Sequence, residues 1–143
     1  MSGNNLILSQ EIITKIVILG HFIHYKMGGK VGRRRIFSIL LKHGEEMPQK
    51  KMQEILDVRS GSLSEILAKT EEDGYIEKIR NKQDKRNYNI RLTASGKVEA
   101  IRVQQEYEER VEQMLSCLAE EEKEKLYIQL DKLMKHWNAL EMD

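Results

Sequence analysis

Between Lys78 and Arg91 lies a short polar stretch carrying Lys78, Arg80, Lys82, Lys85, Arg86 and Arg91 against one acid, Asp84. So dense a set of cations suits a polyanion, because ammonium and guanidinium groups pair with phosphate oxygens and release condensed counterions. Asp84 stands two residues before Arg86, near enough to hold the guanidinium by a charge-assisted hydrogen bond. A solvated basic hairpin with a surface ion pair is the competing reading. Other chemistry is poorly supported. His21 and His24 stand at i, i+3, with His43 elsewhere in the chain, and the spacing permits shared coordination. No cysteine or carboxylate cluster accompanies them, so no metal and no cofactor is assigned. Cys117 sits among Met114, Leu115 and Leu118, which predicts a packed, inert thiol. Gly28-Gly29-Lys30-Val31-Gly32 lacks the Ser or Thr after the lysine and the leading strand of a phosphate-binding loop. No serine or cysteine falls into a spacing signature with a histidine and a carboxylate. No enzyme is expected.

The elements that must position the basic stretch follow from composition and periodicity. The chain has 143 residues, 33% of them charged and 40% hydrophobic, with one Pro and one Cys. That suits one predominantly helical domain in a reducing, cytoplasmic compartment, with no disulfide. No run approaches about 18 consecutive apolar residues, and the first residues lack a basic, signal-like start, so no membrane anchor is expected. Residues 26–93 hold 16 basic and 10 acidic groups, and residues 94–143 hold 7 and 12. A basic middle and an acidic tail give the molecule one face for a polyanion and one turned away from it.

From Leu6 to Tyr25, Ile12, Ile16, Leu19 and Ile23, flanked by Ile13, Val17 and Phe22, predict a helix with a broad apolar face. Ile36, Phe37, Ile39 and Leu40 restart helical spacing after the glycines, and the helix ends near His43-Gly44. Met47-Pro48 opens a third helix carrying Met52, Ile55 and Leu56. Ser60-Gly61-Ser62 supplies capping chemistry, and Ser62 with Glu65 forms an S-x-x-E capping box for a fourth helix that ends before Gly74. Helix, three-residue turn and helix is the layout of a helix-turn-helix. Residues 75–80 and 88–92 read as strands joined by the polar loop 81–87. Thr93 caps a fifth helix carrying Val98, Ile101, Val111, Leu115 and Leu118. After a break near Ala119, Leu126, Leu130, Leu133, Trp137 and Leu140 form a heptad seam on a sixth. The expected fold is mainly α with a small β-hairpin wing: residues 30–93 form a winged helix-turn-helix, and 1–29 and 94–143 form long dimerisation helices. The broad apolar faces call for a second subunit, with Ile12, Ile16, Leu19, Leu126, Leu130, Leu133 and Trp137 in the interface.

Asp84-Lys85-Arg86 followed by Leu92-Thr93 and Gly96 resembles the D-x-R, then L-T-x-x-G, of the MarR family of bacterial winged-helix transcription regulators. Gly61 to Leu67, leading to Glu71-Glu72-Asp73-Gly74-Tyr75-Ile76, is similar to that family's recognition helix and G-Y-I entry to the wing, and Gln49 matches a usual first residue of the preceding helix. The resemblance spans most of the chain. It implies a homodimer whose first, fifth and sixth helices interlock, with two winged domains reading a pseudo-palindromic operator on double-stranded DNA, usually to repress. Arg86 then suits insertion into a narrow minor groove. Inward Leu63, Ile66 and Leu67 leave Ser62, Ser64, Glu65 and Lys69 beside Gly61 and Ala68 to meet base edges. Lys82, Lys85, Arg33, Arg34, Arg35, Gln49, Lys50 and Lys51 add backbone contacts, although the arginine triplet reads equally well as solubilising charge. Two departures stand out. Thr70 replaces an apolar residue on the inner face of the recognition helix, so packing there is looser or its hydroxyl bonds back to the helix. Met47-Pro48 replaces a hydroxyl cap.

A small-molecule effector entering a crevice lined by Phe22, Tyr25 and Tyr107 would alter the spacing of the two recognition helices, which must lie about 34 Å apart to share one face of the duplex. The alternative function is a winged-helix module for protein-protein interaction, without an operator.

Overall fold

The computed structural model describes residues 3–27, 32–57 and 60–140. Its elements are α1 (Gly3–Lys26), α2 (Arg33–Lys42), β1 (Glu46–Pro48), α3 (Gln49–Leu56), α4 (Ser60–Glu72), β2 (Ile76–Arg80), β3 (Tyr88–Leu92), α5 (Ala94–Met114) and α6 (Glu120–Ala139). They group into two compact units, Met1–Ile101 and Arg102–Asp143.

In the first unit, α2, α3, α4 and the sheet close over one apolar core. Ile36, Phe37 and Leu40 of α2, Met52 of α3, Leu63 and Leu67 of α4, and Ile76 and Ile90 of the sheet are all buried. The helical residues recur at three- and four-residue steps, which puts them on one face of each helix. The sheet is three-stranded and antiparallel, in the order β1-β3-β2. Sequence reading foresaw only the hairpin. β1 is three residues long, too short for alternation to register, and it becomes a strand by pairing Met47 with Ile90 across from β3. Met47 is buried at that register, while the opposite face aligns Glu46, Arg91 and Glu77 in one row.

Local chemistry sets the joints. Gly44 (φ 77°) and Glu45 (φ 71°) are successive left-handed residues that turn α2 into β1. Glu45 is held in that unfavourable conformation from three sides. Its N–H donates to Leu40 O at 2.7 Å, its carbonyl accepts Leu92 N–H at 2.9 Å, and its carboxylate meets Lys97 Nζ at 2.6 Å. Pro48 stands just ahead of α3 with φ −62°, where its missing N–H costs nothing. Asp57, left-handed at φ 51°, ends α3. The expected Ser62–Glu65 capping box is not formed as drawn: α4 already begins at Ser60, so Ser62 is a helical residue. The position ahead of α4 lies outside the described residues, as does the glycine-rich segment 28–31. Thr70 is fully buried, and its hydroxyl donates to Ile66 O at 2.6 Å, so the departure at this position is absorbed by back-bonding within the helix.

The start of α5 is locked to the turn before β2. Thr93 caps the helix as expected, its Oγ1 accepting Gly96 N–H at 3.0 Å. The same hydroxyl donates to Gly74 O at 2.6 Å, and Ser95 Oγ donates to that oxygen at 3.0 Å. A Cβ placed on Gly96 would lie 1.7 Å from Tyr75 O, so only glycine lets the two backbones approach this closely.

α1 has no buried residue, and Val17 and Leu19 are each 63% exposed. Although no uninterrupted apolar run reaches a span's length, α1 is long and apolar enough to cross a membrane by length and composition, with mean hydropathy 1.6 over its best window.

In the second unit, the remainder of α5 runs to Met114 and α6 follows. Ala119 N–H is capped by Glu122 Oε1 at 3.0 Å, and Glu120, Glu121 and Glu122 complement the helix dipole. Cys117 lies exposed in the turn after α5, against the expected packed thiol: the helix ends at Met114, so the apolar spacing that suggested a seam does not continue through it. Leu126, Leu130 and Trp137 are exposed along α6, and Leu140 falls one residue beyond it.

Candidate nucleic-acid interface

The loop joining β2 to β3 is braced by its own side chains. Asn81 N–H donates to Asn87 O at 2.9 Å, while Asn81 Oδ1 accepts the backbone N–H groups of Gln83 (2.9 Å) and Asp84 (3.2 Å). Asp84 Oδ1 accepts the Arg86 N–H at 3.1 Å, and its Oδ2 accepts Asn87 Nδ2 at 3.0 Å. Across the sheet, Asn81 Nδ2 donates to Asn89 Oδ1 and Asn89 Nδ2 to Glu46 Oε2, at 3.1 and 3.0 Å. Asparagine and aspartate suit this work because their short polar side chains reach the backbone two or three residues on.

Within this frame Arg86 projects outward, its side chain 91% exposed and only loosely held by Asp84, Nε to Oδ1 3.4 Å. Asp84 is therefore chiefly the builder of the loop that presents Arg86, rather than a tight clamp on its guanidinium. Lys82 and Lys85 are exposed beside it and have no ion-pair partner among the described residues. The ribbon's other arginines are occupied. Arg91 donates to Glu77 and lies 3.9 Å from Glu46, so the row of three side chains on the sheet's outer face is net acidic. Arg80 donates to Lys85 O at 3.0 Å and lies 5.4 Å over the Tyr88 ring, bracing the hairpin. Sequence counting had credited both to the basic surface. The asparagine frame went unread, although Asn81, Asn87 and Asn89 in one polar stretch are the signal that could have found it.

α4 carries the other half of the interface. Its buried Leu63, Leu67 and Thr70 leave Gly61, Ser62, Ser64, Glu65, Ala68 and Lys69 exposed, the outward face read from periodicity. Small residues and hydroxyls let a helix backbone come close to base edges, and Ser64, Glu65 and Lys69 can donate or accept there. Gln49 is half-buried and Lys50 exposed, both in the first turn of α3, while Arg35 is exposed in the first turn of α2. Arg33 is paired within the protein, its Nη2 lying 2.5 Å from Asp73 Oδ2.

The remaining candidates belong to different units. Phe22 and Tyr25 are exposed on α1, where the Tyr25 ring packs against those of His21 and His24 with centroids 4.2 and 4.6 Å apart; Tyr107, half-buried, belongs to the second unit. Among the described residues no group of three or more His, Cys, Asp or Glu gathers as a metal site would require.

Replacing Asp84 with alanine is expected to weaken duplex binding about fivefold, roughly 1 kcal/mol, through loss of the hydrogen bonds that shape the loop. Charge alone acts oppositely, because deleting an acid facing a polyanion should tighten binding. Titration of one labelled duplex with both proteins reads the sign directly.

Comparison with known proteins agrees with this geometry. Residues 35–88 match the MarR family. The chain is 28% identical over 94 residues to the HTH-type transcriptional regulator SarZ of Staphylococcus haemolyticus, covering 66% of this chain and 64% of that one. It spans just under two thirds of the length of the curated relatives it matches. Its fold is that of the PcaV transcriptional regulator from Streptomyces coelicolor, with TM-score 0.77 and 16% identity over 92% of this chain and 98% of that one. A mutant MarR from E. coli complexed with operator DNA aligns with TM-score 0.66 and 18% identity over 91% and 96% of the two chains. These relatives are named for regulation, not for catalysis.

Proposed function

Because this chain belongs to the MarR family through its winged helix-turn-helix region, we propose that it is a sequence-specific double-stranded DNA-binding transcriptional regulator. In this reading it acts in the cytoplasm as a homodimer on a pseudo-palindromic operator, as a repressor released by a small-molecule effector. The observation that carries the proposal is the wing tip, where a self-braced loop holds Arg86 out in solvent with Lys82 and Lys85 beside it. A guanidinium so presented suits the negative potential of a narrow minor groove, while the outward face of α4 suits the adjacent major groove. The operator complex of the E. coli relative supports the same use of the fold.

The dimer reading rests on apolar surface that each unit leaves bare. Ile12 and Leu19 are exposed on α1 and Ile16 half-buried; Leu126, Leu130 and Trp137 are exposed on α6 and Leu133 half-buried. A protein partner suits α1 better than lipid, because Glu11 and Lys15 interrupt its middle and each charge near a bilayer centre costs about 2.5–3.5 kcal/mol.

Selection of bound duplexes from a random pool, with sedimentation of the winning complex, tests this reading. The expected result is one enriched inverted repeat bound by two protomers, with affinity falling steeply as salt rises. Recovery of no sequence would remove the operator and leave the wing as a docking element for an acidic protein.

A further inference from the structure

We propose that Arg33 and Asp73 form one positioning unit that sets how the recognition helix meets the wing, a role that rests on the DNA-binding reading above. Arg33 opens α2, and Asp73 is the first residue beyond α4. Arg33 Nη2 lies 2.5 Å from Asp73 Oδ2, and its guanidinium carbon stands 5.4 Å from the centre of the Tyr75 ring. Tyr75 in turn meets Phe37 of the core edge-on, ring centroids 6.0 Å apart. One guanidinium thus holds both sides of Gly74, whose φ of 81° makes the turn from helix to strand.

That turn is gripped elsewhere too. Tyr75 N–H donates to Thr70 O at 3.2 Å, Tyr75 O accepts Thr93 N–H at 3.0 Å, and Gly74 O takes the hydroxyls of Thr93 and Ser95. These bonds fasten the turn to the end of α4 and to the start of α5, whereas Arg33 and the edge-on contact of Tyr75 with Phe37 tie it to α2, and of these Arg33 alone also reaches Asp73. The pair is partly solvated, with side chains 31% and 44% exposed, so its contribution to stability is small. Its geometry is directional nonetheless, since a planar guanidinium that donates along its edge and stacks on its face fixes two neighbours at once. Lys69 lies one turn before Asp73, and its carbonyl accepts the Asp73 N–H at 3.1 Å, which couples any tilt of the turn to the outward face of α4. Arg33 is a positioning residue here, acting through Asp73 and Tyr75 without touching the nucleic acid.

The test titrates the duplex selected by the wild type with Arg33→Ala, Asp73→Ala, the double variant and Arg33→Lys across a series of salt concentrations. Each alanine variant is expected to bind about five- to tenfold more weakly and the double variant no more weakly than either, with Arg33→Lys recovering part of the loss. The slope of log affinity against log salt is expected to stay at the wild-type value, and Tm within about 2 °C of it. The proposal is overturned by tighter binding by Asp73→Ala, by a slope reduced by about 2 per homodimer in Arg33→Ala as for a lost phosphate contact on each protomer, or by a Tm loss large enough to account for the weaker binding. If the wild type itself selects no duplex, the DNA-binding reading falls and takes this inference with it. If the wild type binds and the two alanine effects simply add, only the inference falls.

Discussion

Gly96→Ala is expected to destabilise the protein by about 3 kcal/mol, lowering Tm by about 9 °C for a chain of this size. The added methyl would lie 1.7 Å from Tyr75 O and 2.7 Å from Tyr75 C, and these are backbone atoms that no rotamer change can move aside. Relief requires α5 to withdraw from the turn, which stretches the bonds from Thr93 and Ser95 to Gly74 O. Ser95→Ala is the natural control. It removes one of two hydroxyls on the same oxygen without adding volume, and should cost about 1 kcal/mol or less. Calorimetric melting of the three proteins measures the difference, and a Tm for Gly96→Ala within about 2 °C of wild type would show that the helix yields freely there.

For Arg86→Ala the expected effect is on binding alone. Its side chain is 91% exposed, so its removal should leave Tm unchanged. If each wing of a homodimer loses about 1.5 kcal/mol of charge-assisted contact, affinity for the operator falls at least a hundredfold. The salt slope should fall by about 2, one cation per protomer. Arg80→Ala offers the opposing case, because Arg80 braces the hairpin through Lys85 O and the Tyr88 ring: it should loosen the wing while changing the salt slope less. Titrations over a range of salt separate the two. Equal affinities for wild type and Arg86→Ala would leave the wing without a role in DNA binding.

Much of the fold was legible in the chain because its signals are local. Leu63, Ile66 and Leu67 repeat at helical steps, the loop at 81–87 is bounded by alternating strands, and Thr93 stands three residues before the glycine whose N–H it caps. The outward face of α4 followed from the same arithmetic, and so did the projecting Arg86, since a polar loop tip has nowhere to go but solvent. Reading failed where the decision belonged to a partner distant in sequence. β1 exists because β3 offers Met47 a register opposite Ile90, 43 positions away. Arg33 and Arg91 look like free cations in a list of residues, yet Asp73 and Glu77 occupy them.

The sequence by itself determined which segments are helical, which stretch is basic and which residues stand at the tip of the wing, because periodicity, capping and turn chemistry act over three or four residues. Only the tertiary structure decided which of those cations remain available to a polyanion, and why position 96 must be glycine. Ion pairing and close backbone approach depend on distances between elements, and no local pattern along the chain encodes them.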